Sequence, residues 1–394
     1  MKRLLCLLAA TALTVSATEP GIEVAAFYFP NYHPNPQNTA RYGTNWTEWR
    51  LMQEARPRFP GHAQPKVPAW GYGDEAQPDV MAQKIAAAAD QGVTAWIFDW
   101  YWHDTGPFLE RGLEQGFLRA TNTARLKFAL MWANHDWVDI FPAKPGANEE
   151  LVYPGAVSRK TFDLATAHAL QEYFPRTNYW RLDGRPFFSI YECMTLVKGL
   201  GGLEQTRAAL ADFRSRTKAA GFPDLHLNAI IWGLQPLASS GLKSRAEFAR
   251  ALGVDSVTTY AWVHDIPLTN FPAVDYATIA AQAGTFWRRH REEFGLPFFP
   301  NVSQGWDPTP RTTPSQRFRQ GRYPYTPVVV GNSPADFRQA LWNARAFVTT
   351  APSGPRVVVL NAWNEWTEGS YLEPDTVNGS RYLEAVHEVF PPGG

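Results

Sequence analysis

The sequence predicts a (β/α)8 barrel, and three features of it carry that expectation. Eight strand-length apolar runs alternate with eight helix-length amphipathic segments along the 394 residues, the pattern of parallel strands joined by helical crossovers. Polar and aromatic residues gather just past the ends of those runs, where barrels of this kind build their active sites. Two long loops, 30–77 and 305–327, are rich in Pro and Gly and leave the same strand ends, and loops of that length in a compact domain are usually functional. A doubly wound open sheet is the alternative architecture for the same alternation.

Strands are expected at 23–29, 94–99, 127–132, 186–191, 226–232, 256–260, 297–302 and 356–361. The first helix, 78–91, is Ala-rich and stops before Gly92, a good C-terminal cap. Further helices are expected at 108–120, 160–173, 203–219, 244–252, 275–294, 334–349 and 380–389. No internal repeat or low-complexity linker divides the chain, so residues 18–394 read as one catalytic barrel.

Residues 1–17 read as a secretory signal. Lys2 and Arg3 form a charged start, 4–15 is apolar, and Val15-Ser16-Ala17 is a small-residue cleavage pattern. The apolar run is shorter than the ~20 residues of a membrane helix. A secreted or periplasmic protein is expected, with no membrane attachment after signal removal. Cys6 leaves with the signal, so Cys193 stays as a lone, buried, structural thiol. Lys plus Arg and Asp plus Glu each total 37, and that balance gives no reason to expect nucleic acid as a partner. Aromatics are 14% of the chain, with 16 Trp. Many of those Trp stand beside carboxylates, His and Asn. Flat apolar faces stack on sugar rings and polar neighbours bond the hydroxyls, so the expected partner is an oligo- or polysaccharide.

Candidate substrate-binding residues follow the strand ends in order. The first strand supplies Tyr28 and His33, then Trp46 and Glu48. The second supplies Asp99, Tyr101 and Trp102, and the third Trp132, Asn134, His135 and Asp136. Glu192 follows the fourth strand and Trp232 the fifth. Tyr260, Trp262 and His264 follow the sixth, and Trp306, Asp307 and Arg311 the seventh. The eighth supplies Asn361, Trp363 and Trp366. At least two of Trp46, Trp102, Trp262 and Trp306 are expected to line a sugar groove. Any one of these residues alone would more often be a capped loop or a core side chain. Eight groups converging on one barrel face reverse that reading.

Glu365 and Glu368 are the candidate catalytic pair. Glycoside hydrolysis needs one group to protonate the leaving oxygen and a second to act on the anomeric side. Like charges packed beside Trp363 and Trp366 raise one carboxyl toward the range of a general acid. Other chemistries lack their frames: there is no His-Glu-x-x-His, no Cys-x-x-Cys and no phosphate-binding loop, and Gly331-Asn-Ser-Pro-Ala335 lacks the last glycine of a nucleophile elbow. No cofactor and no metal are expected.

The segment Asn361-Ala-Trp-Asn-Glu-Trp-Thr-Glu-Gly369, followed by Leu372-Glu-Pro-Asp375, resembles the C-terminal signature of the glycoside hydrolase family 99-like domain, a grouping that includes WbsX-type glycosyltransferases. Tyr28-Phe-Pro-Asn-Tyr-His33, Asn45-Trp-Thr-Glu-Trp49, Asp183-Gly-Arg-Pro-Phe187 and Gly305-Trp-Asp-Pro-Thr-Pro-Arg311 agree with it, so the resemblance runs from about Val24 to Leu383. It implies a (β/α)8 barrel and a retaining, endo-α-mannosidase-like activity. It also implies Glu368 as general acid/base and Glu365 as a base on the substrate's own 2-hydroxyl, which gives an epoxide-like intermediate. The chain departs from the family at His135-Asp136, where a Glu often follows Trp-Ala-Asn. Three function classes are thus in play: a hydrolase of an α-linked, mannose-containing glycan, a transferase of polysaccharide assembly, and a non-catalytic carbohydrate-binding barrel. The signal favours the first, since nucleotide-sugar donors are cytoplasmic.

Overall fold

The computed structural model describes residues 21–146, 149–235, 241–351 and 354–392. The expected signal, residues 1–17, lies outside the described residues.

Among these, eight parallel strands close into a barrel: β1 (Glu23–Tyr28), β2 (Ala95–His103), β3 (Lys127–Trp132), β4 (Arg185–Ile190), β5 (His226–Ile230), β6 (Ser256–Thr258), β7 and β8 (Val357–Asn361). Strand β7 comes in two pieces, Phe298–Phe299 and Asn301–Ser303, on either side of Pro300. The first piece pairs with β6 and the second with β8. Proline has no N–H for a ladder, and here the chain changes partners at that residue. The Pro300 carbonyl still accepts from Val359 N at 2.9 Å. Strand β1 pairs with both β2 and β8, which completes the ring.

Helices cover the outside: α1 (Pro36–Tyr42) and α2 (Trp49–Glu54) in the first loop, then α3 (Pro78–Asp90), α4 (Arg159–His168), α5 (Cys193–Gly199), α6 (Leu203–Ala219), α7 (Arg245–Ala251), α8 (Tyr276–Phe294), α9 (Pro334–Thr349) and α10 (Arg381–Val389). Their starts are written locally. Ser158, Ser244, Asp275 and Ser333 each accept a backbone N–H of the first turn.

The helix expected at 108–120 forms only over its second half, as irregular helical turns rather than a regular α-helix. Residues Gly106–Phe108 turn back on β2 as a hairpin, and a wide turn, Gly112–Gly116, runs into a short tight one, Phe117–Arg119. Gly112 and Gly116 weaken an α-helix. Gly116 also packs so closely on the Glu75 carbonyl that a Cβ there has no room. Strand β2 runs four residues past its expected end because this hairpin extends it. Cys193 opens α5 at 1% exposure, and burial pushes its thiol up to about 12, as a structural thiol requires. No described helix is long and apolar enough to cross a membrane.

Candidate active site

A cavity of about 760 Å³ opens at the C-terminal ends of the strands. Side chains on a strand alternate between faces, and that parity decides which candidates reach it. On β2, Asp99 and Tyr101 line the cavity, while Trp100 and Trp102 point out to the helices, Trp102 against His168 of α4 at 5.1 Å. On β3, Met131 lines it and Trp132 stacks on Phe162 of α4. On β1, Phe27 packs on Tyr260 and Phe29 lines the cavity, so Tyr28 faces Met81 of α3.

At the floor, Arg311 gathers three carboxylates from two loops. Its guanidinium lies 3.1 Å from Glu48, 3.3 Å from Glu365 and 2.7 Å from Glu368. Glu48 is fully buried and also accepts from Asn31 at 2.9 Å and from the Thr367 hydroxyl. Tyr323 donates to Glu368 Oε1 at 2.7 Å. Tyr260 lies 2.9 Å from Glu365 and 2.8 Å from Asp99. Burial, and then the Glu368 charge, hold the Glu365 carboxyl well above its ordinary range, against the pull of Arg311. Glu368 is also raised by burial, with Arg311 and Tyr323 limiting the rise. Burial raises Asp99 well above its ordinary value. Several carboxyls sharing one cation in a dry floor cannot all ionise.

The backbone around the pair is fixed closely. Asn364 bonds both backbone groups of Phe29, at 2.8 and 2.7 Å, and so ties the last loop to β1. Asp307 N donates to the Glu368 carbonyl. Gly369 sits at φ +66°, where a Cβ would come 2.5 Å from Asp307 Cβ; only glycine fits both demands.

The walls are aromatic. Trp232 stands 49% exposed at the rim, 5.0 Å from His264, with its N–H on Glu192 at 3.2 Å. Trp306 lies 6.4 Å beyond His264. Opposite them, His135 packs near Tyr101, Tyr191 and Trp137. Asp136 also lines the cavity, and its Oδ1 accepts from Gly155 N at 2.8 Å, which braces its own loop. Burial brings His264 down to about 4, so it is neutral at pH 7.

The structure therefore brings Asp99, Tyr101, His135, Asp136, Glu192, Trp232, Tyr260, His264, Trp306, Arg311, Glu365 and Glu368 together around one cavity. It places the other candidates elsewhere. Tyr28, Trp102 and Trp132 have the wrong strand parity. His33 is buried behind β1 beside Gly112. Trp46 packs on Tyr42 and Phe141, and Trp262 bonds the Asn301 carbonyl at 2.7 Å. Asn134 clips the Glu192 backbone, donating at 2.8 Å and accepting at 2.9 Å. Asp307 is held by His62, Gln64 and Thr309. Asn361 is 1% exposed at the end of β8. Trp363 packs on Trp96, and Trp366 stacks on Tyr371 at 3.7 Å. Glu48 does not line the cavity and lies against Arg311. Of the four Trp expected in a groove, only Trp306 lines the cavity; Trp137 and Trp232 stand there instead. Tyr323 was not foreseen, although its loop was. Among the described residues no three His, Cys, Asp or Glu side chains gather as metal ligands.

The fold matches solved structures. A GH99 endo-α-mannosidase from Bacteroides thetaiotaomicron superposes with a TM-score of 0.59 at 15% identity, over 93% of this chain and 96% of that one. A glycoside hydrolase-like protein superposes with a TM-score of 0.60 at 17% identity, over 94% of each chain. In sequence, the chain is 30% identical over 372 residues to the uncharacterized protein WxcX of Xanthomonas campestris pv. campestris, covering 93% of this chain and 49% of that protein. The chain thus spans about half the length of the curated relatives it matches. A family model described as "Glycosyltransferase WbsX" matches residues 24–386, the barrel and every loop that feeds its cavity, and the chain belongs to that family.

Proposed function

We propose that the protein is a secreted retaining glycoside hydrolase that acts on an α-linked, mannose-containing glycan. The observation that carries this reading is the pair Glu365 and Glu368, two buried carboxyls on one turn that both open on a single aromatic-walled cavity. Glycoside hydrolysis asks for two such carboxyls, one of them raised enough to hold a proton. Glu368 would be the general acid/base. Arg311 and Tyr323 both engage its Oε1, leaving Oε2 for the glycosidic oxygen. Glu365 would draw the proton from the substrate 2-hydroxyl. Trp232, Trp137 and Trp306 offer faces for sugar rings. Mannose and the individual roles come from the family resemblance and from the named activity of the Bacteroides neighbour. A location outside the cytoplasm belongs to the same proposal.

The family's description supports a second reading, glycosyl transfer. A nucleotide-sugar donor carries a diphosphate. The cavity is lined by Asp99, Asp136, Glu192, Glu365 and Glu368, with Arg311 as its one lining Lys or Arg among the described residues. That guanidinium is already engaged by glutamates. With that cation engaged, the carboxyls of the lining that do ionise repel such a donor, which favours hydrolysis.

The purified protein incubated with a panel of α-mannans and other α-glycans tests the proposal. We expect shorter glycans with retained anomeric configuration from an α-mannan. An inverted product, or product only when a nucleotide sugar is supplied, overturns the reading.

A further inference from the structure

One hydroxyl on the cavity floor faces two carboxyls. Tyr260 Oη is 2.8 Å from Asp99 Oδ2 and 2.9 Å from Glu365 Oε1. A phenol has one proton to donate. Shared between two anions, it would leave both weakly bonded, with like charges on either side of one oxygen. Both contacts are good hydrogen bonds only if one carboxyl is protonated and donates to the phenol oxygen, while the phenol donates to the other.

The surroundings choose between them. Glu365 Oε2 lies 3.3 Å from Arg311 Nη2, and a neighbouring cation favours its charged form. Asp99 is 4% exposed, and its Oδ1 is buried without a hydrogen-bond partner. That is costly for an anion and far less so for the carbonyl oxygen of an acid. The other ionisable groups facing the pair are Glu368, Glu48, Arg311 and His264, which stacks 6.2 Å from Tyr260 and is kept neutral by burial, with the phenols of Tyr32, Tyr101, Tyr191 and Tyr323. Burial raises all four phenols well above their ordinary value, so they stay neutral and add no charge.

We propose that Asp99 holds the proton of this group: its Oδ2–H donates to Tyr260 Oη, Tyr260 donates to Glu365 Oε1, and Glu365 is thereby kept ionised as a base. Asp99 is a positioning residue that acts through Tyr260. The functional half of the inference rests on the proposed role of Glu365; the protonation half concerns the resting protein alone. Burial of both carboxyls lets one proton stay between them at neutral pH.

Infrared difference spectroscopy at neutral pH reads the proton directly, through the C=O stretch of a protonated carboxyl. Asp99→Asn should lose one such band relative to the wild type, and Glu365→Gln should keep it. The reverse pattern, or no such band to lose, overturns the proposal. Tyr260→Phe leaves both carboxyls in place and should shift the band, because the acid loses its acceptor; an unmoved band is equally fatal. Melting temperatures show that each variant is folded. In an active enzyme, Asp99→Ala should cost about tenfold more in kcat than Asp99→Asn, whose amide still donates to Tyr260, the scale of a hydrogen bond to a charged network. Equal losses overturn the relay. A wild type that hydrolyses no glycan would sink the proposed function and leave the infrared result to decide this one.

Discussion

Lys84 and Arg311 each lie buried between two glutamates, and the two clusters have gone different ways. Lys84 Nζ is 2.6 Å from Glu75 and 2.5 Å from Glu373. Its side chain and those two are at most 5% exposed, sealed beneath α3. Arg311 holds Glu365 and Glu368 in a similar way, but Glu48 also claims it, and its glutamates open on a cavity. The clusters are joined through one segment: Asn364 donates to Glu75 at 2.9 Å and the Trp366 indole to Glu373 at 2.7 Å. Two acids and one base make a staple when sealed. On the proposed function, an extra carboxyl and a way in turn the same parts into proton-handling groups. Burial alone does not separate the cases, because an ion pair removed from water is weak evidence for stability.

The comparison can be broken most forcefully at Glu368. Glu368→Gln should lower kcat about 10²–10⁴-fold, the usual worth of a general acid, with little change in melting temperature; steady-state kinetics on an unactivated glycan measures it. Unchanged turnover in the folded variant would make this cluster a second staple. Lys84→Met should act oppositely. It leaves Glu75 and Glu373 buried without their cation, which typically costs about 3–5 kcal/mol, seen as a lower denaturant midpoint. A shifted pH profile of activity with stability intact would show that the clusters are not separate.

A smaller effect sharpens the sealed side. Burial raises Glu75 from its ordinary 4.5 to about 7. The folded chain then binds that proton more tightly than the unfolded chain does. This contribution to stability falls as pH rises from about 4.5 to about 7, and it is level above. Glu75→Gln should flatten that part of a melting-temperature profile, and an unaltered slope would count against the burial argument. The smallest expected effect is none. Each cluster carries its own organic cation, so exhaustive chelation should leave hydrolysis unchanged. Loss with EDTA and recovery with one divalent ion would place His135 and His264 under scrutiny as ligands.

Much of this was legible in the chain. The alternation of runs gave the barrel, and α6 and α9 fall on the residues expected. The last-strand motif led to Glu365 and Glu368. What failed was parity. Trp102 and Trp132 stand among cavity residues in sequence, but a strand turns alternate side chains away, and a count of residues past a strand end ignores it. Asp99 and Tyr101 against Trp100 and Trp102 show the signal that was available. Tyr323 was less accessible, and Glu48 was found but placed in the cavity wall rather than on Arg311. Each arrives on a long loop whose path is set by contacts far along the chain, and local pattern does not say which partner it meets.

Arg311 meets Glu48 across 263 residues of chain, and Glu365 and Glu368 across 54 and 57. Contacts so distant in sequence are slow to reach, because the loops between them must be closed first. The guanidinium, its three glutamates and Tyr260 assemble only when the first, sixth, seventh and eighth loops have all arrived. On the proposed function, a nascent or partly unfolded chain owns every reactive side chain and is still chemically silent, so hydrolysis would double as a report that the chain has finished folding.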